Sequence, residues 1–77
     1  MKLIQVLGPG CPKCNELEKN AKDAVAEAGI EAKVEKVTDF KEITAFGVFS
    51  TPALVIDGQV KAVGKAPSTK EIVGWLG

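Results

Sequence analysis

Two cysteines stand three residues apart in Cys11-Pro12-Lys13-Cys14, where an apolar segment gives way to a helical pattern. The preceding segment, about Lys2 to Leu7, is typical of a buried strand. A helix N-terminus or a nearby lysine lowers the pKa of a thiol well below that of a free cysteine. Two thiols at this spacing can also close on each other. The segment therefore predicts a pair that exchanges between dithiol and disulfide.

The composition of the chain excludes several other kinds of chemistry. Its 77 residues predict one domain, residues 1–77, and the formal net charge is zero. The sequence has no arginine, which argues against a nucleic-acid partner because bidentate recognition of phosphates or bases is absent. It has no histidine either, so Cys–His catalysis and mixed Cys/His zinc sites are ruled out.

The cysteine count and the apolar segments indicate the compartment. Two cysteines this close would make a poor structural bridge, because closing a short loop stabilises little. The N-terminal segment is interrupted by Gln5 and meets Gly8-Pro9-Gly10, which is unlike a signal peptide. No apolar stretch reaches the roughly 18–20 residues that span a bilayer. We therefore expect a cytoplasmic protein without a membrane partner, and we expect it to be a monomer.

The first helix is predicted to begin at Pro12 and to end before Gly29. Proline suits the first helical position, where its missing N–H costs nothing, and glycine suits the left-handed residue after the last turn. Apolar side chains at three- and four-residue spacing mark the buried side of this helix: Cys14, Leu17, Ala21, Ala24, Val25 and Ala28. Cys14 is thus predicted to face the core, one turn beyond Cys11.

The rest of the chain predicts three more strands and two more helices. The predicted elements are a strand from Ala32 to Val37, a short helix capped by Thr38 or Asp39 and stopped by Gly47, a strand from Ala53 to Ile56, an Asp57-Gly58 hairpin turn, a strand from Gln59 to Val63, and a last helix opened by Ser68 with Glu71. Phe40, Ile43 and Phe46 are predicted to point inward, and Trp75 and all three phenylalanines are expected in the core. The order is βαβαββα, with the first two strands parallel and the last two forming a hairpin.

This arrangement resembles the thioredoxin superfamily in its minimal, glutaredoxin-sized form. The resemblance rests on Gly8-Pro9-Gly10-Cys11-Pro12-Lys13-Cys14 together with Phe49-Ser50-Thr51-Pro52-Ala53-Leu54, and it covers essentially the whole chain. The motifs are most similar to the small redox-active disulfide proteins of archaea and bacteria. The resemblance implies an α/β protein with the thioredoxin fold, a four-stranded mixed sheet and three helices.

The resemblance also implies a role for each residue of the motifs. Cys11 would be the exposed attacking thiolate and Cys14 the buried resolving thiol, with Pro12 and Lys13 tuning the pKa and redox potential of the pair. The Thr51-Pro52 bond would be cis, and Gly10, Thr51 and Pro52 would bind an extended substrate segment. The implied function is a cytosolic protein disulfide reductase that has no cofactor, acts on disulfide-containing proteins and is itself reduced by an upstream reductase.

Three positions depart from the family pattern. Gly10 stands where thioredoxins place a tryptophan, and Gln5 stands where they carry a buried aspartate. Pro12-Lys13 replaces the proline and aromatic residue that glutaredoxins have between their cysteines.

The main alternative is a metal-binding or metal-transfer domain that uses the same cysteine pair. Soft thiolates select Cu(I) or Zn(II), and copper chaperones also place a CxxC pair between a first strand and a helix. Two features argue against it: the predicted chain ends in a helix rather than a strand, and Thr51-Pro52 has no use in metal transfer. Two cysteines would moreover leave a zinc site incomplete unless two chains shared the ion.

Overall fold

The computed structural model describes residues 2–10 and 12–76. In these residues the order βαβαββα is confirmed, with the bounds β1 Lys2–Leu7, α1 Pro12–Ala28, β2 Ala32–Val37, α2 Phe40–Ala45, β3 Ala53–Ile56, β4 Gln59–Val63 and α3 Thr69–Leu76. Local chemistry sets these limits. Gly29 adopts a left-handed φ of 66° after α1, and the side chains of Asp39 and Ser68 accept backbone N–H bonds from Lys41 and Glu71 at the starts of α2 and α3.

The four strands form one mixed sheet in the order β2-β1-β3-β4. β1 is parallel to β2 and antiparallel to β3, and β3 is antiparallel to β4. Leu7, the last residue of β1, pairs with Ala53, the first residue of β3. The chain leaving β1 therefore lies beside the chain entering β3, and this register brings the CxxC and Thr-Pro motifs to the same end of the sheet.

Alternation along the strands divides the core between the two faces of the sheet. The face that carries Ile4 and Val6 packs against α1 and α3, which contribute Leu17, Ala21, Ala24, Ile72 and Leu76. The opposite face carries Leu7 and Val55 and packs against Ile43 of α2. A layer of two helices thus lies on one face of the sheet and a single short helix on the other, which is the arrangement of the thioredoxin fold.

Two phenylalanines do not lie where the sequence predicts. Phe40 is 62% exposed and Phe49 is 85% exposed, so their placement in the core is wrong. Phe46 is half-buried, and Trp75 is partly buried against the core. Phe40 is the first residue of α2, a helix described throughout that has six residues and one buried side chain, Ile43. A helix of fewer than two turns offers too little inward surface for Phe40 as well. Phe49 lies beyond α2, in the segment that leads to β3.

The Asp57-Gly58 turn ties the β3–β4 hairpin to the start of β1. Both residues have positive φ, 50° and 81°, as a primed two-residue turn requires. The Leu3 N–H donates to Asp57 Oδ1 at 2.9 Å, and Lys2 Nζ lies 3.5 Å from Asp57 Oδ2. The backbone hydrogen bond from Leu3, and then the charge of Lys2, lower the pKa of Asp57 below its ordinary value of 3.8.

Asp57→Asn is expected to lower the stability of the protein modestly at neutral pH. Because the folded pKa of Asp57 lies below the unfolded one, its carboxylate stabilises the fold above the unfolded pKa and stops doing so as pH falls through the folded pKa. Asparagine tolerates a positive φ, so the turn itself is preserved. Urea midpoints measured from pH 7 to pH 2 should show a gap between wild type and variant that closes below pH 3.8. Asp23→Asn, at an exposed position of α1, is the matched control, and a gap that persists at pH 2 would contradict the assignment.

Candidate functional site

The site lies at the end of the sheet where three segments of the chain meet. The loop 8–10 leaves β1, α1 begins at Pro12, and Thr51-Pro52 leads into β3. The Gly8 N–H donates to the Val37 carbonyl at 2.9 Å, which extends the pairing of β1 with β2 by one residue. The Gly64 N–H donates to the Pro52 carbonyl at 2.8 Å, which fixes the Thr-Pro loop to the end of β4. Backbone hydrogen bonds therefore hold these loops in place from both sides.

Cys14 is fully buried in the first turns of α1, as its position on the apolar stripe predicts. Leu17 and Ala21 continue the same buried side of the helix. Burial disfavours the charged form of a thiol, because a thiolate loses its hydration.

Gly8 is a site residue whose role the sequence did not reveal. It is buried, and a Cβ placed on it would overlap Cys14 Sγ, lie 3.1 Å from Cys14 Cβ and 3.8 Å from Thr51 Cβ. Only glycine leaves room for the Cys14 sulfur to approach the end of β1 this closely. In the sequence, Gly8 stands beside Pro9 and Gly10 and has the features of an ordinary turn residue. The packing reason appears only once α1 is placed against β1.

Thr51 lies near Cys14, since both residues approach Gly8, and the Thr51–Pro52 peptide bond is cis, as the resemblance implied. Pro52 is buried and Thr51 is half-buried. Thr51 is thus the member of this pair that is accessible at the surface. Its Cβ lies close to the backbone of Gly8, and Gly8 in turn contacts the Cys14 sulfur.

Cys11 lies outside the described residues, but its neighbours on both sides are exposed. Gly10 has a φ of 98°, a left-handed conformation that favours glycine, and open space surrounds its missing side chain. Pro12 and Lys13 open α1 with exposed side chains. The first turn of α1 has no acidic residue, so no carboxylate on that turn opposes the positive end of the helix dipole.

Gln5 lies half-buried on β1, on the sheet face that α2 covers. It pairs with Glu35 of β2 and lines an open cleft of about 620 Å³ with Lys36, Glu42 and other residues of β2 and α2. Because an amide does not titrate, Gln5 cannot accept the proton that a carboxylate could take at this position.

Residues 2–10 and 12–76 contain no cluster of three or more His, Cys, Asp or Glu that could hold a metal ion. Over the same residues, every helix is too short or too polar to cross a membrane.

The sequence of the chain matches the family described as "Thioredoxin domain" over residues 2–77. The chain belongs to the thioredoxin family. It is 43% identical to a thioredoxin of Methanothermobacter thermautotrophicus over 72 residues, which cover 94% of each chain. It is 47% identical to a thioredoxin of Methanocaldococcus jannaschii over 72 residues, which cover 94% of this chain and 83% of that protein. As a member of the thioredoxin family, the chain is a protein disulfide oxidoreductase.

Proposed function

We propose that this thioredoxin-family protein is a cytoplasmic protein disulfide reductase whose dithiol is Cys11 and Cys14. The observation that carries the proposal is the placement of Cys14, which is buried against Gly8, a residue that Thr51 of the cis Thr51–Pro52 bond also approaches. A buried thiol near a partly exposed loop that can bind a polypeptide has the components of a disulfide-exchange site. Cys11, three residues earlier in the sequence, provides the second sulfur.

The proposed cycle begins at Cys11. Its thiolate attacks one sulfur of a substrate disulfide, a new S–S bond joins Cys11 to the substrate, and the other substrate sulfur leaves as a thiolate that takes a proton from water. Cys14 then attacks the Cys11 sulfur, closes the Cys11–Cys14 disulfide and releases the second substrate thiol. Two electrons and two protons pass from the dithiol to the substrate.

The two sulfurs differ in environment, and this difference determines the order in which they react. Pro12 and Lys13, beside Cys11, are exposed at the positive end of α1, where a thiolate is favoured. Cys14 is buried, where the thiol form is favoured. We assign tuning of the Cys11 pKa and of the redox potential to Pro12 and Lys13.

The substrate segment is proposed to lie in extended form over Gly10, Thr51 and Pro52. Gly10 is exposed and has no side chain to obstruct a neighbouring backbone. The Thr51 backbone is the polar edge that such a segment can pair with, in the manner of an added strand. Pro52 is buried and its carbonyl accepts the Gly64 N–H, which fixes the path of the loop.

The proposal extends to the setting in which the protein works. Thioredoxins act on disulfide-containing proteins and are returned to the dithiol form by a reductase, and we propose both kinds of partner here. Residues 1–77 are proposed to act as one domain and as a monomer. A cytoplasmic location suits a dithiol that has to be kept reduced, because that compartment maintains thiols in the reduced state.

Equilibration of the protein with dithiothreitol buffers of graded ratio tests the proposal. Trapping with iodoacetamide followed by mass measurement should show one two-electron transition between the reduced and the oxidised chain. Without alkylation, the oxidised chain should be lighter than the reduced chain by the mass of two hydrogens. The reduced protein should then reduce insulin. A metal ion that stays with the reduced chain through gel filtration, together with failure to reduce insulin, would contradict the proposal and favour metal transfer.

A further inference from the structure

Three segments around the proposed exchange site carry positive charge and no carboxylate. They are residues 8–15, which include the first turn of α1, residues 46–52, which lead into β3, and residues 64–68, which join β4 to α3. Their lysines are Lys13 and Lys65, and they contain neither aspartate nor glutamate. Because the whole chain has zero formal net charge, this end of the sheet has a local excess of positive charge.

The strand register places Lys65 beside the Thr-Pro loop. β3 lies between β1 and β4 in the sheet. Ala53, the first residue of β3, pairs with Leu7 on one side and with Val63 on the other. The chain that enters β3 is therefore flanked on one side by the loop that leaves β1, and on the other by the residues that follow β4. Lys65 is the second of those residues.

Two contacts hold the residue before Lys65 against the Thr-Pro loop. The Gly64 N–H donates to the Pro52 carbonyl at 2.8 Å, and a Cβ placed on Gly64 would lie 3.5 Å from Ser50 Cβ. Lys65 follows directly and is exposed. A polypeptide docked on the backbone of Thr51 therefore has Lys65 on the side opposite to the loop that leaves β1.

The charge of Lys65 is not neutralised within the part of the chain that the structure describes. Four other lysines of residues 2–10 and 12–76 lie 3.2–3.9 Å from a carboxylate oxygen, whereas Lys65 forms no ion pair there. Glu71, the acidic residue nearest in sequence, lies in the first turn of α3. Asp39 follows β2, which is two strands away from β3 in the sheet. An exposed ammonium group beside the site is thus available to a ligand.

We propose that Lys65 binds a carboxylate of the substrate polypeptide, so that the preferred substrates carry aspartate or glutamate beside the disulfide that is reduced. This inference rests on the proposed function. Lys13, exposed in the first turn of α1, adds positive charge near the loop that leaves β1. Charges at the rim of a binding site raise the rate of encounter with an oppositely charged partner. Because both lysines are exposed, the preference depends on salt.

Two peptides that differ only beside the cysteine test the inference. Each carries one cysteine in a mixed disulfide with 2-mercaptoethanol; one peptide has glutamate and the other glutamine at the two positions on either side of that cysteine. The reduced protein supplies two electrons and two protons, and the peptide thiol and 2-mercaptoethanol are released. Rates with dithiothreitol correct for the intrinsic reactivity of each disulfide. At about 0.1 M salt, the corrected kcat/KM of wild type should favour the glutamate peptide about fivefold, as expected for exposed ion pairs.

Substitutions of Lys65 should change the ratio of the two corrected kcat/KM values. Lys65→Gln should lower this ratio to about two, and Lys65→Glu should lower it below one, because an added carboxylate repels the glutamate peptide. Lys19→Gln and Lys19→Glu are the matched controls. Lys19 is exposed about 10 Å along α1 from Pro12, and these variants change the net charge equally. The control variants should keep the ratio of wild type, and urea midpoints check that every variant is folded.

The outcomes separate the inference from the function on which it rests. Equal corrected rates with the two peptides for wild type, a preference that Lys65→Glu leaves unchanged, or one that the Lys19 variants reduce as much, would overturn the assignment of Lys65 and leave the reductase proposal standing. A preference of wild type that persists at about 1 M salt, where charges are screened within about 3 Å, would also contradict it. Failure of wild type to reduce either peptide or bis(2-hydroxyethyl) disulfide would overturn the proposed function itself.

Discussion

Cys11→Ser is expected to abolish insulin reduction, whereas Cys14→Ser is expected to stop the reaction half-way. Without the Cys11 sulfur no mixed disulfide forms, because the Cys14 sulfur is fully buried and cannot reach a protein disulfide. Without the Cys14 sulfur, Cys11 can still attack, but the resulting mixed disulfide has no thiol in the protein to resolve it. Both single variants should therefore be inactive in turnover. Only Cys14→Ser should accumulate the mixed disulfide with the substrate.

Mass spectrometry after incubation with a disulfide-containing peptide distinguishes the two variants. Cys14→Ser should carry one covalently bound peptide that dithiothreitol releases, and Cys11→Ser should carry none. In reduced wild type, iodoacetamide should modify Cys11 first, and at lower pH than it modifies a free cysteine. Both cysteines should react alike in urea, which provides the control. Insulin reduction that survives in Cys11→Ser, or preferential modification of Cys14 at low pH, would refute the assignment.

Turn and cap residues explain why the fold could be predicted so closely from the sequence. Pro12 and Gly29 mark the two ends of α1, and Asp57-Gly58 marks the hairpin; the structure places all three features where the sequence predicts them. Each of these residues acts on the backbone next to it, so its effect can be predicted without tertiary information. The Thr51–Pro52 cis bond is different, because it was expected from the family resemblance alone.

Two features of the structure depend on tertiary placement and could not be predicted from the sequence. Phe40 and Phe49 have the hydrophobicity of core residues, yet both are exposed, Phe40 at the start of the short helix α2 and Phe49 in the segment between α2 and β3. Gly8 has the local surroundings of a turn glycine, and its role depends on the approach of α1 to the end of β1. A glycine directly after a buried strand and six residues before a buried cysteine is the signal that could have indicated close packing.

Gly8→Ala is expected to destabilise the protein and to impair disulfide reduction together. The added methyl group would overlap Cys14 Sγ and lie 3.1 Å from Cys14 Cβ, both within a fully buried contact. Relief of the overlap requires α1 or the loop after β1 to move, and overpacking of this kind costs about 1–3 kcal/mol. Either movement changes the position of Cys14 relative to Thr51, so the resolving step should slow as well.

Gly74→Ala is the matched control for this substitution. Gly74 lies within α3, and open space surrounds the position of its missing Cβ. Alanine should therefore stabilise the protein by about 0.5–1 kcal/mol, since it favours the helix without a clash. Urea unfolding measures both free energies of unfolding, and the iodoacetamide rate of Cys14 in the folded state should rise only in Gly8→Ala. A Gly8→Ala protein as stable as wild type, with Cys14 equally protected, would show that Gly8 does not hold the sulfur in place.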